Sequence, residues 1–311
     1  MPVVDTSSRV AEFFEYARKR HQIYLDREAG KPAPWTDDPI FRDYRLTNVY
    51  RELDRTTVWL RKHVRDPLRD KPEVMLAVVV FRMFNRITTG EAIFCQPDLG
   101  GKTAFDEFCA DGDSRHLKRA IKALCGRGPY VNGAYIISSP SGMDKLSGIC
   151  KILAGFWKNS EWRERAECML ATNGDKPREL APTLESTWKW LSQQPYLGPF
   201  HAFEITSDLR WTPLLDEAAD ILTWANPGPG CRRGLNWVRR RKIKSHPPRE
   251  ILIKDMQQIL MLSRADPRMW PREWPKLEMR EIEHWACETW KIARALEYGQ
   301  MPKQRYRGGR G

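Results

Sequence analysis

A mainly α-helical fold is predicted by three observations. Apolar residues recur at three-and-four spacing through most of the chain, strand-like alternation between hairpin turns is scarce, and helix-start and helix-stop residues bracket the periodic segments. The opening segment has Ser7 or Ser8 as its N-cap, sets Val10, Phe13, Phe14 and Ala17 on one face, and stops at Gly30. "KPAPW" breaks the chain, Asp38-Pro39 signals a second helix start, and Thr47 or Asn48 is expected to cap the following turn. "VMLAVVVF" is apolar on every side, which marks a buried helix, and it is too short to span a bilayer.

The stretch 90–114 reads as loop-rich, and 125–145 as a glycine-rich connection with a short hairpin at Asn132-Gly133. Further helices are expected at 146–156, 160–171, 180–193, 199–208, 214–224, 249–263 and 277–298. The elements are expected to form one helical domain over 1–302, with two lobes and a cleft, followed by a flexible basic tail at 303–311 in which Lys303 and Arg305 contact DNA phosphate.

With 41% hydrophobic residues and 13 Trp, the chain has too much apolar and aromatic material to remain disordered. Its net charge of +12 favours a polyanion, either nucleic acid or an acidic membrane. The first twenty residues lack the pattern of a secretory signal, so a cytoplasmic protein without a membrane partner is expected. Seven cysteines without a CxxC pair suggest reduced thiols and no zinc site.

Several polar groups are candidates for chemistry. "LGPF" is a glycine turn ahead of a helix start, where Gly198 and Phe200 would meet DNA and backbone N–H groups would hold a phosphate. Downstream, Asp208, Asp216 and Asp220 follow at intervals that suit one wall, with Asp216 and Asp220 on one face if their helix is continuous; two solvent-facing acids is the equal alternative. "NPGPGCRRG" combines a kinked backbone with Arg232 and Arg233, a pattern that suits an anion, although spacing alone favours the cap of a helix ending at Trp224. "TNVYRELD" sets Asn48, Arg51, Glu52 and Asp54 on one short helix. "FRMFNRI" buries Arg82 and Asn85, either as a polar floor for a flipped base or in a structural pair between Arg82 and Glu52 or Asp54. In "EIEHWACETWKIAR", His284, Glu288 and Lys291 are within mutual reach, with His284 a proton shuttle, a capped core histidine or a surface ion-pair partner.

Together, "WTDDPI", "TNVYRELD", "FRMFNRI", "LGPF" followed by "DLRW", "TWANPGPGCRRGL" and "EIEHWACETWKIAR" resemble the phage amino acid:DNA transferases, the family also described as α-glutamyl/putrescinyl-thymine pyrophosphorylases. That resemblance implies a fold like the helix-hairpin-helix DNA glycosylases, with "LGPF" as the hairpin and Asp216 about where a glycosylase carries its catalytic aspartate. Pro199 and Phe200 stand where the usual hairpin has a second glycine. The implied reaction transfers an amino acid, glycine or serine, to pyrophosphorylated hydroxymethyluracil in double-stranded DNA, releasing pyrophosphate. Asp216 would be base or cation-stabilising carboxylate, Asp220 its neighbour or a second base, and Arg233 with Arg232 or Arg82 the pyrophosphate clamp, while Asn48, Arg51 and Asn85 shape the base pocket. No cofactor is required, although carboxylates recruiting magnesium for pyrophosphate is an open alternative. A related helical region accompanies a phage kinase acting on hydroxymethyluracil, and the missing GxxxxGK[ST] loop argues against that activity here. A monofunctional glycosylase and a non-catalytic DNA-binding protein are the competing classes.

Overall fold

Fourteen α-helices make up most of the regular structure of the computed structural model, which describes residues 8–133, 137–159, 161–171 and 182–306. In chain order these are α1 (Ser8–Glu28), α2 (Pro39–Asp43), α3 (Arg55–Leu60), α4 (Glu73–Phe84), α5 (Ile87–Phe94), α6 (Ala104–Asp111) and α7 (Arg115–Cys125). They are followed by α8 (Lys145–Lys158), α9 (Glu161–Ala171), α10 (Leu184–Gln193), α11 (Gly198–Leu209), α12 (Pro229–Val238), α13 (Arg249–Ala265) and α14 (Met279–Tyr298). No strand occurs among the described residues, so the mainly α expectation holds. The chain divides into two units: Met1–Asp54 with Ile221–Gly311, and Arg55–Asp220.

The Arg55–Asp220 unit is built around α4. Every residue from Val74 to Phe84 is buried. A helix apolar on all sides can only be stable when surrounded, and α8, α9, α11 and the π turn Arg61–Arg65 pack against it. Asn85 ends it in the left-handed conformation at φ 47°, which a short polar side chain tolerates better than most. The expected hairpin of helices is present. Thr183 and Ser186 form a capping box that starts α10, Gln194–Leu197 makes the connection, and Gly198 opens α11 at φ 59°, where a Cβ would be strained. The Trp188 indole donates to the Pro199 carbonyl at 2.9 Å and pins the tip to α10.

In the other unit α14 is the central element, contacted by α1, α12 and α13. The Trp285 indole donates to the Phe13 carbonyl at 3.1 Å, and Trp237 donates to Glu297 at 2.6 Å. The glycines of "PGPGCRRG" explain how closely α12 approaches. A Cβ on Gly230 would strike the Cys287 sulfur, and one on Gly234 would overlap the Ala286 carbonyl oxygen. A backbone oxygen in a helix cannot swing aside, so Gly234→Ala is expected to cost about 3 kcal/mol, the upper part of the overpacking range. Thermal melting checks this, and an unchanged midpoint would mean that the two helices separate freely.

Several expectations need correction. The segment 214–224 is not a helix but a series of tight turns, with Leu215 and Ala218 bonding to carbonyls three residues back, so Asp216 and Asp220 share no helix face and no helix ends at Trp224. Arg232 and Arg233 lie within α12 rather than in a loop. Asn48, Arg51, Glu52 and Asp54 do not form one helix, because only Arg51–Leu53 makes a 3-10 turn, and neither Thr47 nor Asn48 is its N-cap. The 90–114 stretch holds the end of α5 and all of α6, which Thr103 and Asp106 cap reciprocally. Around Asn132-Gly133 no strand occurs, Asn132 N–H donates to the Phe84 carbonyl at 3.0 Å, and residues 134–136 lie outside the described residues, as do Ser7 and 307–311. Through Tyr306 the basic tail is tied down. Tyr44 and Arg305 form an antiparallel bridge, and Tyr306 N–H donates to the Asp43 carbonyl at 2.8 Å.

Candidate functional site

Three distant stretches of the Met1–Asp54, Ile221–Gly311 unit converge on one polar cluster. Arg20 comes from α1, Asn48, Arg51, Glu52 and Asp54 from the turn before α3, and Arg280, Glu281, His284, Glu288 and Lys291 from α14. At its centre Asp54 Oδ2 lies 3.9 Å from His284 Nε2, and Asp54 Oδ1 accepts from the Asn48 N–H at 3.0 Å. The Asn48 side-chain amide donates to the Leu53 carbonyl at 2.7 Å, which shapes the turn that presents Asp54. Around the pair, Arg280 faces Glu52 at 3.4 Å and Glu281 at 3.3 Å, while Lys291 meets Glu288 at 2.5 Å. Glu281 also belongs to the capping box of α14, accepting from the Glu278 N–H.

The electrostatics separate the Asp54 and His284 pair from its setting. Arg51, Arg280 and Glu288 are buried, whereas the Asp54 and His284 side chains keep 25% and 23% exposure. Burial raises the Asp54 carboxyl to about 6, against the pull of the Asn48 N–H and the charges of Arg20 and Arg51. It lowers His284 to about 4, more than the Glu288 charge restores. Near neutral pH the site therefore presents an ionised carboxylate beside an uncharged imidazole. A carboxylate with a pKa near 6 suits general-base work close to pH 7. Asn48 Oδ1, His284 Nε2 and Glu288 Oε2 are buried with no hydrogen-bond partner. Folded proteins seldom leave such atoms unsatisfied, and three in one cluster suit a polar ligand. Among the described residues no group of three His, Cys, Asp or Glu side chains is placed to hold a metal ion.

Residues expected at the site from the Arg55–Asp220 unit are engaged in its structure. Arg82 makes two contacts with the Asp208 carboxylate, at 2.5 and 2.8 Å, and also donates to Asn85 Oδ1 at 2.7 Å and Thr57 Oγ1 at 3.1 Å. Arg82 thus has Asp208 as a paired carboxylate, and both partners are almost fully buried. Asp220 accepts from the N–H groups of Leu184 at 2.8 Å and Glu185 at 2.9 Å, serving the N-terminus of α10. Asp216 has a buried Oδ1 without a partner, and its carbonyl accepts from Arg210 at 3.2 Å. At the hairpin, Tyr196 and Phe200 are about half exposed. In the other unit Arg232 donates to His246 Nδ1 at 2.7 Å, Arg233 is half-buried on α12, and Lys303 and Arg305 are exposed.

Read along the sequence, Asp54 had only a structural role as a partner of Arg82, and Arg20 had none. Asp54 stood beside the chosen residues, but only the fold brings it to His284. Arg20 has no local signal, because a helix arginine usually faces water. The sequence "GGKT" (Gly100, Gly101, Lys102, Thr103) also invites a phosphate-loop reading, but Gln96 occupies the position of the first glycine. Its amides are consumed internally. Asp98 Oδ1 accepts from Gly100 N–H at 2.8 Å and Lys102 N–H at 2.9 Å, the Asp98 carbonyl accepts from Gly101 N–H at 3.0 Å, and Thr103 Oγ1 donates to Asp106 at 2.7 Å.

No helix among the described residues is long and apolar enough to cross a membrane. No solved structure matches the chain. A relative named 5-hmdU DNA kinase, from Bacillus phage SP10, is 26% identical over 295 residues, covering 88% of this chain and 43% of the relative, so the chain spans less than half of that protein's length. The family model for the 5-hmdU DNA kinase helical domain matches residues 7–300. A match of that extent takes in both units and every residue of the polar cluster, and the chain belongs to the 5-hmdU DNA kinase helical domain family.

Proposed function

We propose that this chain acts on the 5-hydroxymethyl group of modified uracil in phage DNA, transferring an amino acid, glycine or serine, to that group after its pyrophosphorylation. The amine attacks the methylene carbon, a C–N bond forms as the C–O bond to pyrophosphate breaks, and the amine's proton passes to a carboxylate. For serine attacking through its hydroxyl the new bond is C–O. The observation that carries this reading is the Asp54 and His284 pair set among Arg20, Arg51 and Arg280. Asp54 takes the proton, His284 orients the nucleophile as a neutral partner, and the arginines hold the amino-acid carboxylate. Arg232 and Arg233 remain the proposed pyrophosphate contacts and Asp216 a second candidate base, its Oδ1 lacking a partner. A base inside a duplex cannot reach such groups, so the nucleotide is extruded.

The test is nucleoside mass analysis after incubating the protein with pyrophosphorylated hydroxymethyluracil DNA and mixed amino acids. A nucleoside heavier by one amino-acid residue, with pyrophosphate released, is the expected result. Asp54→Asn and Asp216→Asn, assayed side by side, separate the two candidate bases: only the variant of the true base loses turnover while still binding DNA. Arg233→Ala is expected to weaken use of pyrophosphorylated DNA more than binding of unmodified DNA, and equal losses would reduce Arg233 to a general phosphate contact.

The relative's name favours a second reading, in which this chain is the helical part of a phosphoryl-transfer system. Against it as a self-contained kinase stands the "GGKT" loop, whose amides are already bonded. Phosphate appearing on 5-hydroxymethyluracil DNA with a nucleoside triphosphate alone would decide for the kinase. Loss of the base would point instead to a glycosylase.

A further inference from the structure

The stretch 221–249 carries eight Lys and Arg and no acidic residue. Its second half is the ten-residue connection 239–248 between α12 and α13. This loop is held from beneath by two polar groups. Fully buried Asn236 donates its side-chain amide to the carbonyls of Ile243 at 3.2 Å and Ser245 at 3.0 Å and accepts from Arg241 Nε at 3.0 Å. Asp255 on α13 pairs with Arg239 at 3.0 Å and with Arg241. These contacts take Arg239 and Arg241 inward, while the alternate residues Arg240, Lys242, Lys244 and His246 are exposed. Arg240 sits at φ 53°, which turns the chain at the start of the loop. Arg232 ties α12 to the loop's far end through His246.

The arrangement sets two arginines on Asp255, and the outer row carries the positive side chains of Arg240, Lys242 and Lys244. Lys242 and Lys244 form no ion pair among the described residues. An ordered cationic row suits a repeating anion, because the loop is already held before binding and little further ordering is needed. The choice between nucleic acid and an acidic bilayer follows from what is missing around the cations. Between Leu222 and Ile251 no large hydrophobic side chain is exposed among the described residues, whereas surface membrane binding draws on inserted apolar residues as well as charge.

We propose that the 239–248 loop is a docking surface for the phosphate backbone of DNA, with Arg240, Lys242 and Lys244 as its contacts. The proposal rests on the reading of this chain as a DNA-modifying protein, and it adds a contact separate from both the helical hairpin and the polar cluster. Contacts to phosphate set position and carry no base information, so the loop holds the duplex whatever its sequence or modification.

The experiment compares the full chain with a triple variant, R240Q/K242Q/K244Q, in binding to unmodified duplex DNA across a salt series. A second triple variant, R27Q/K31Q/R268Q, removes the same charge elsewhere on the same unit. Melting curves of all three verify that they fold, and the substituted side chains are exposed and leave the Asn236 and Asp255 contacts in place. Loss of three phosphate contacts is expected to reduce the slope of log K against log salt by about 2–3 and to weaken binding by about tenfold or more at moderate salt. The second variant should bind nearly as the parent does. Equal binding by parent and loop variant would overturn this proposal while leaving the DNA reading intact, and equal weakening by both variants would assign the attraction to net charge. No duplex binding by the parent would sink both readings. Loop-dependent binding to vesicles of phosphatidylcholine and phosphatidylserine in equal parts, exceeding that to DNA, would overturn the proposal in favour of a membrane surface.

Discussion

Asp208→Ala is expected to destabilise the Arg55–Asp220 unit by about 3–5 kcal/mol, enough to unfold many domains outright. The reason is what remains rather than what is lost. Arg82 projects from the largely apolar helix α4, and Asp208 accepts from its Nε and Nη2. Removing the carboxylate takes this negative partner from a guanidinium that is 2% exposed and leaves it the neutral acceptors Asn85 and Thr57. Replacing both partners by apolar residues of similar size, as in Arg82→Met with Asp208→Leu, should recover much of the loss, since a buried ion pair contributes little beyond its apolar equivalent. Urea denaturation of the two variants measures this. If Asp208→Ala unfolds at the parent's midpoint, Arg82 has found another partner and the network is not structural.

Asp54→Asn is expected to lower turnover by about 100- to 10,000-fold, the usual contribution of a positioned base. The pH profile distinguishes this from a folding defect. With the Asp54 carboxyl raised to about 6, the parent's rate should climb tenfold per pH unit below that value and level off above it, and Asp54→Asn should lose this limb. Glu281, raised to about 7 by burial, is the rival source, so Glu281→Gln must keep a limb near 6 for the assignment to stand. Stability should move the other way. Because the folded Asp54 pKa lies above the ordinary carboxylate value, the associated stability is present below about pH 4 and is lost as pH rises through 6. His284 opposes it: the neutral imidazole supplies stability above about pH 6.5 that is lost as pH falls toward 4. A pH–stability curve that separates from the pH–rate curve near 6 identifies Asp54 as acting in chemistry.

How much was legible in the sequence varied with the range of the forces involved. The buried helix at 74–84 was readable because its apolar run admits only one environment. The glycine turn at Gly198 was readable because positive φ restricts residue choice. By contrast, 214–224 has helical spacing of apolar residues but folds as turns, since Asp220 is claimed by the N-terminus of α10, more than thirty residues earlier. "PGPGCRRG" misled for a related reason: glycines suggest a flexible loop, yet here they let α12 reach the backbone of α14, a requirement stored in Ala286 and Cys287. Asn48, Arg51, Glu52, His284 and Glu288 were chosen from two separate motifs and do meet, although neither motif by itself specifies the other. The carboxylate with the most useful pKa, Asp54, gained that property only from burial in the folded chain.

One unit is assembled from both ends of the sequence, and this has a bearing on synthesis in the cell. His284 follows Asp54 by 230 positions (284 minus 54). At ordinary ribosomal speeds that interval is about 10–45 s. Throughout it the nascent chain displays the Asp54 turn and α1 without the helix that completes them. The polar cluster is therefore completed all at once and late. A translation product ending anywhere before α14 lacks the imidazole and with it the pair.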